Sequence, residues 1–229
     1  MTKKSMKPVI KKVRDALSWS TLERDSDLPV IRIVSDIKNK SHLIYMPNKL
    51  NNKSSDLDYL HELGHATLCE SVHPVFATNG QFAQMVNKKQ FLPLLPALSA
   101  ACDWFIGHWQ RELLPKEMDA QIKESITVVE EVLGMEKLPP IEIILDASLI
   151  IAQAIRYLDE PIDCDGVLQA IVDAFLAVPP DQPSEENCVL LVNSLLAAYT
   201  DLRARLVPDV DYSVWEVYKA EAADTGIAA

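Results

Sequence analysis

Apolar residues follow two regimes along this chain. Before about residue 50 they come in short β-branched runs, and from Leu92 onward they recur at helical spacing. An amphipathic, basic helix is predicted over 7–18. Leu28–Val34 reads as a strand, Ser35–Ser41 as a polar turn, and His42–Met46 as a second strand stopped at Pro47. Two strands joined by a short polar turn predict a hairpin or the edge of a small sheet. The run Asn51–Ser55 is a loop that ends in helix-capping residues. A helix fits from Ser55 to Ser71 and ends near His73-Pro74, because proline disfavours helix in the residue before it. Val75–Lys89 reads either as a further strand or as a substrate-facing loop. Helices follow over 93–113, 116–133, 142–158, 166–177, 185–205 and 211–222, punctuated by Pro115, Gly134 with Pro139-Pro140, and Pro179-Pro180.

The expected architecture is α+β and mostly helical. A mixed front over residues 1–115 precedes an all-helical C-terminal region over 116–229. With 229 residues and 48% apolar content, the chain can bury one sizeable core or two small ones. Its apolar runs fall far short of the ~18 residues a membrane span needs, and its basic start leads into no signal-type apolar stretch. A soluble, cytoplasmic protein is expected. The net charge of −11 argues against nucleic-acid binding. Residues 1–55 hold 12 Lys+Arg against 5 Asp+Glu, so the front is basic and the remainder strongly acidic. That asymmetry reads as a solvated face or as attraction within the chain. Cys69, Cys102, Cys164 and Cys188 have no metal-ribbon or redox spacing and read as buried free thiols.

Chemistry concentrates in His61-Glu62-Leu63-Gly64-His65. On a helix, residues four apart project side by side, so His61 and His65 can bind one Zn²⁺ without disturbing the backbone. Glu62 lies about a quarter-turn round, where its carboxylate can take a proton from an activated water. At this chain's composition the pattern arises by chance with a probability of only about 0.7%, so accident is a poor account of it. Gly64 costs about 1 kcal/mol in mid-helix, which points to close approach by another backbone or by substrate. A later helix carries Asp103 in the otherwise uncharged stretch Leu98–Ile106. A lone carboxylate there is costly unless paired or bound to a cation. Asp103 is thus the expected third ligand, with His108, Glu112 and, more remotely, His73 as alternatives. Tyr45, Tyr59 and His108 are unranked candidates for stabilising an oxyanion. Trp104 and Trp109 read as core or groove lining.

His-Glu-Leu-Gly-His resembles the signature of the zincin metallopeptidases over about residues 28–115. The resemblance implies a small sheet beside the active-site helix, His61 and His65 as zinc ligands, and Glu62 as general base. Leu68 and Ser71 exclude the metzincin form, and a third ligand from a later helix is similar to the thermolysin-like arrangement. Ala101-Cys102-Asp103-Trp104-Phe105-Ile106 is similar to an Ala-x-Asp-aromatic-x-Ile stretch of bacterial metallopeptidases. The end of the same helix, to Pro115, loosely resembles ImmA/IrrE-type regulatory peptidases, although the chain lacks a Glu-x-x-Ala-Asn element. The implied function is zinc-dependent hydrolysis of a peptide or protein substrate. Its rivals are a non-catalytic regulatory protein on a zincin scaffold, a metal-dependent hydrolase of a small non-peptide substrate, and a helical interaction module.

Overall fold

Main-chain pairing, more than side-chain character, builds the N-terminal sheet. In the computed structural model, which describes residues 6–48, 53–77, 92–135, 137, 139–209 and 213–220, three strands take the order β1-β3-β2. They are β1 (Ser20–Ser26), β2 (Arg32–Asp36) and β3 (Ser41–Pro47). The expected β2–β3 hairpin is present, pairing Ile33 with Ile44 and Ser35 with His42. Its first strand starts later than expected. Pro29 cannot donate to a ladder, and the Ile31 N–H is taken by Ser54 Oγ at 2.8 Å, so pairing begins only at Arg32. Strand β1 was not expected. Its sequence, Ser-Thr-Leu-Glu-Arg-Asp-Ser, is almost wholly exposed, and its parallel pairing with β3 holds it.

One face of this sheet carries Ile33 and Ile44. Helices α1 (Lys7–Ala16) and α2 (Asp56–Ser71) cover it, burying Ile10, Leu60, Leu63 and Ala66 in the same cluster. Helix α2 opens with a reciprocal capping box between Ser55 and Asp58. The other face of α2 meets α3 (Leu94–Leu113), which is apolar nearly all round and therefore buried. Around α3 pack α4 (Pro115–Leu133), α5 (Ile141–Leu158) and α7 (Glu185–Tyr199), with α6 (Gly166–Ala177) against α5 and α7. Trp104, fully buried on α3, donates its indole N–H to the Val178 carbonyl at 2.8 Å.

Seven α-helices and two small sheets make the described part an α+β, mostly helical protein. The C-terminal region is not all helical, however. The helix expected to run to 205 stops at Tyr199, and Leu202–Pro208 forms β4. In place of a last helix, Ser213–Lys219 forms β5, antiparallel to β4. Trp215 and Val217 are buried while Glu216 and Tyr218 are exposed, the alternation of a half-buried strand. Asn193 of α7 clamps the hairpin, binding both the N–H and the carbonyl of Ala204 at 2.8 Å. The uncertain stretch Val75–Lys89 begins with a single 3₁₀ turn, Pro74–Phe76, and 78–89 lies outside the described residues, as do 51–52, 211–212 and 221–222.

Candidate metal centre

Three side chains from two crossing helices converge on one point. Helix α2 presents His61 and His65 one turn apart, with ring centroids 5.1 Å from each other. Helix α3 brings Asp103 across them. Its Oδ1 lies 3.2 Å from His61 Nε2 and 3.7 Å from His65 Nε2. Gly64 makes this approach possible, because a Cβ there would stand 2.7 Å from Ile106 Cγ2 and 3.1 Å from the Trp109 ring. The closest neighbours of Gly64 are thus side chains of α3, where close approach by another backbone or by substrate was expected.

Both imidazoles are held in one tautomer. The Phe76 carbonyl, which can only accept, takes the proton of His65 Nδ1 at 2.9 Å. Gln110 donates its amide N–H to the Leu57 carbonyl at 3.0 Å, which turns its own oxygen toward His61 Nδ1 at 3.3 Å. Each ring therefore turns its Nε2 toward Asp103. Outer partners that orient histidines in this way accompany metal-binding histidines generally.

The donor set fits a divalent ion. The two nitrogens and the carboxylate oxygen lie within 4.8 Å of one another. A tetrahedral ion with bonds of about 2.0–2.2 Å asks for donor separations of about 3.4 Å, so a small inward adjustment suffices. Two nitrogens and one oxygen form a set that suits Zn²⁺ and leaves a fourth position open. The group is also partly accessible, with His61 30% and Asp103 26% exposed.

Without an ion, the electrostatics hold a proton where a cation would sit. Burial disfavours charge on His61, but the hydrogen bond and charge of Asp103 prevail and raise the imidazole to about 9. Burial, aided by the charge on His61, pushes His65 down to about 4. Burial also opposes ionisation of Asp103, yet His61 and His65 bring it below the ordinary carboxylate value. A divalent ion on these donors would have to replace that proton.

Glu62 leaves the same helix toward the sheet. Its Oε2 accepts the Ile33 N–H of β2, the strand at the edge of the sheet, at 2.6 Å. Burial raises its carboxyl above the ordinary value, and the Ile33 hydrogen bond and His61 pull the other way. Glu62, His61, His65 and Asp103 all line a cavity of about 270 Å³ bordered by Val30, Ile31 and Arg32. A second cavity of about 310 Å³ shares His61 and Asp103 and extends between α3, α4 and α5.

The other candidates fall elsewhere. His73 caps the 3₁₀ turn, accepting the Val75 N–H at its Nδ1, and faces Glu185 across 3.2 Å. His108 meets the Tyr157 hydroxyl at 3.0 Å and Glu112 at 3.7 Å. The Tyr59 hydroxyl donates to Glu23, and neither Tyr45 nor Tyr59 lines either cavity among the described residues. Cys69 is packed in the interior, where burial pushes its thiol up to about 12. All four cysteines are free thiols, three of them buried. Trp109 packs beside Gly64, between α2 and α3. Sequence reasoning missed Gln110 and Arg32. The signal for Gln110 was available: it stands seven residues after Asp103 and so shares its helix face. No protein-family model, curated protein or solved structure matches this chain.

Proposed function

We propose that the chain is a zinc-dependent hydrolase of peptide bonds, of zincin type. The observation that carries this reading is the convergence of His61 Nε2, His65 Nε2 and Asp103 Oδ1 beside Glu62, in a cavity bordered by an edge strand. Zinc on those three donors would supply Lewis-acid activation of a water and of the scissile carbonyl. The chain's own residues do the rest. Gln110 and the Phe76 carbonyl hold the Nδ1 atoms and so keep both Nε2 atoms aimed at the site, where zinc would take the place of the His61 proton. The Ile33 N–H fixes one oxygen of Glu62, and the carboxylate accepts the proton of the attacking water and returns it to the leaving amine. Arg32, the cationic residue among those described around this cavity, offers charge to an oxygen that becomes negative in the transition state.

Access at His61 and Asp103 favours chemistry over a purely structural metal. A second reading, hydrolysis of a small non-peptide amide, draws support from cavity volumes of only a few hundred Å³. The border with edge strand β2 favours peptides, since Val30, Ile31 and Arg32 set main chain along the cavity. The test is cleavage of a mixed peptide library by zinc-loaded protein, chelated protein and the Glu62→Gln variant. Cleavage by the first alone supports the reading. Equal cleavage by Glu62→Gln contradicts the role of the base, and cleavage only of small amides favours the second reading.

A further inference from the structure

The second cavity is where the two walls of the site differ in charge. The first cavity carries Arg32, whereas no Lys or Arg lines the second among the described residues. Its polar lining beyond the metal donors is instead acidic and amide: Asp58, Asp146, Gln110, Gln121 and Gln153, with Ser125. Asp58 is committed to the Ser55 capping box and Gln110 to His61 and Leu57. Asp146 of α5 has no cationic partner among the described residues. Burial and the nearby charges of Asp103 and Glu142 raise its carboxyl above the ordinary value, a cost that an incoming cation would relieve. Gln153 is brought close by Gly107, where a Cβ would lie 2.7 Å from its Nε2. Apolar side chains line it as well, with Met118, Ile122, Leu149 and Ile150 available to cover an aliphatic stem.

A lining of apolar side chains, an uncompensated carboxylate and glutamine amides describes a receptor for a long cationic side chain. We infer that this cavity takes a lysine- or arginine-type group of the substrate next to the bond that is cut, with Asp146 as its charge partner. The inference rests on the hydrolase reading for the words "substrate" and "cut", but not for the binding itself. A divalent ion on His61, His65 and Asp103 would more than neutralise Asp103, so Asp146 would be left to draw the cation into this cavity.

The test titrates full-length protein, with and without zinc, with N-acetyl-arginine amide and N-acetyl-norleucine amide by calorimetry. A charge pair at an exposed carboxylate predicts that the arginine probe binds about fivefold more tightly. In Asp146→Asn, a substitution of equal size at an exposed position, the two probes should converge to within about twofold. Equal binding of both probes to the parent, no measurable binding of either, or an unchanged preference in Asp146→Asn overturns the assignment. Zinc content and library cleavage, measured on the same preparations, separate the two ideas. Cleavage without the arginine preference removes only the cavity's role. The preference without cleavage removes only the hydrolase reading.

Discussion

The backbone N–H of Ile33 donates to Glu62 at 2.6 Å, so the edge of the sheet holds the carboxylate beside the two histidines. Glutamine at 62 keeps an oxygen for that N–H but loses the basicity, whereas alanine loses both. Glu62→Gln should therefore melt close to the parent, bind zinc and have no turnover. Glu62→Ala should also bind zinc and be inactive, and lose about 1 kcal/mol of stability because the hydrogen bond from the Ile33 N–H to Glu62 is lost. Paired thermal melts with zinc content and activity check this. An active Glu62→Gln removes the general base from the account.

Gln110 touches both helices of the site, accepting from His61 and donating to Leu57. Gln110→Ala frees the His61 ring to rotate and to change tautomer. Zinc affinity should fall about 10–100-fold, as it does when the outer partner of a metal-bound histidine is lost. Competition with a chromophoric chelator measures this, and unchanged affinity would show that Gln110 does not position the ligand.

A methyl group at 64 collides with Ile106 and crowds Trp109. Overpacking of this kind costs about 1–3 kcal/mol. Because the relief must separate α2 from α3, Gly64→Ala should lose zinc affinity as well as stability. A variant that melts earlier yet binds zinc like the parent would show that the helices tolerate the change without moving Asp103.

Far from the metal donors, Glu70 accepts from the Ser18 and Trp19 backbone N–H groups and from buried His42, whose other nitrogen accepts from the Ser35 hydroxyl. Burial lowers His42 below its ordinary value. Burial works against the Glu70 charge, but the bonds from Ser18, Trp19 and His42 outweigh it and lower that carboxyl too. Both shifts have the same sign for stability. Below about pH 6.5 the unfolded imidazole takes up a proton before the folded one, and the Glu70 contribution, complete above about pH 4.3, is lost as pH falls through its folded value. The melting temperature of the parent, less that of Glu70→Gln, should therefore shrink as pH falls from about 4.5 to 3. A difference that grows over that range contradicts the assignment.

Much of the site's organisation was legible because it is local. The four-residue spacing of His61 and His65 fixes their common face, and an isolated carboxylate in an apolar helix singles out Asp103. The pairing of β2 with β3 followed from two β-branched runs around a polar turn. What escaped depends on distant parts of the chain. Strand β1 has no apolar face to betray it, since β3 supplies its hydrogen bonds. The segment Leu202–Pro208 is rich in good helix formers (Leu, Arg and Ala), and its pairing with β5 and the Asn193 clamp override that preference. Val214–Tyr218 alternates in the sequence, but the helix expected over 211–222 passes over that pattern. Asp146 and Gln153 gain meaning only when α5 packs against α3, which no local pattern encodes.

The most direct measurement is the zinc content of the purified chain, equilibrated with the metal and freed of excess, for the parent, His61→Ala and Asp103→Ala. The account predicts about one zinc in the parent, bound through one site, and loss of tight binding in both variants. A parent that holds no zinc would contradict the metal centre itself. Retention of zinc by Asp103→Ala, with loss in His61→Ala, would assign the third ligand to another residue.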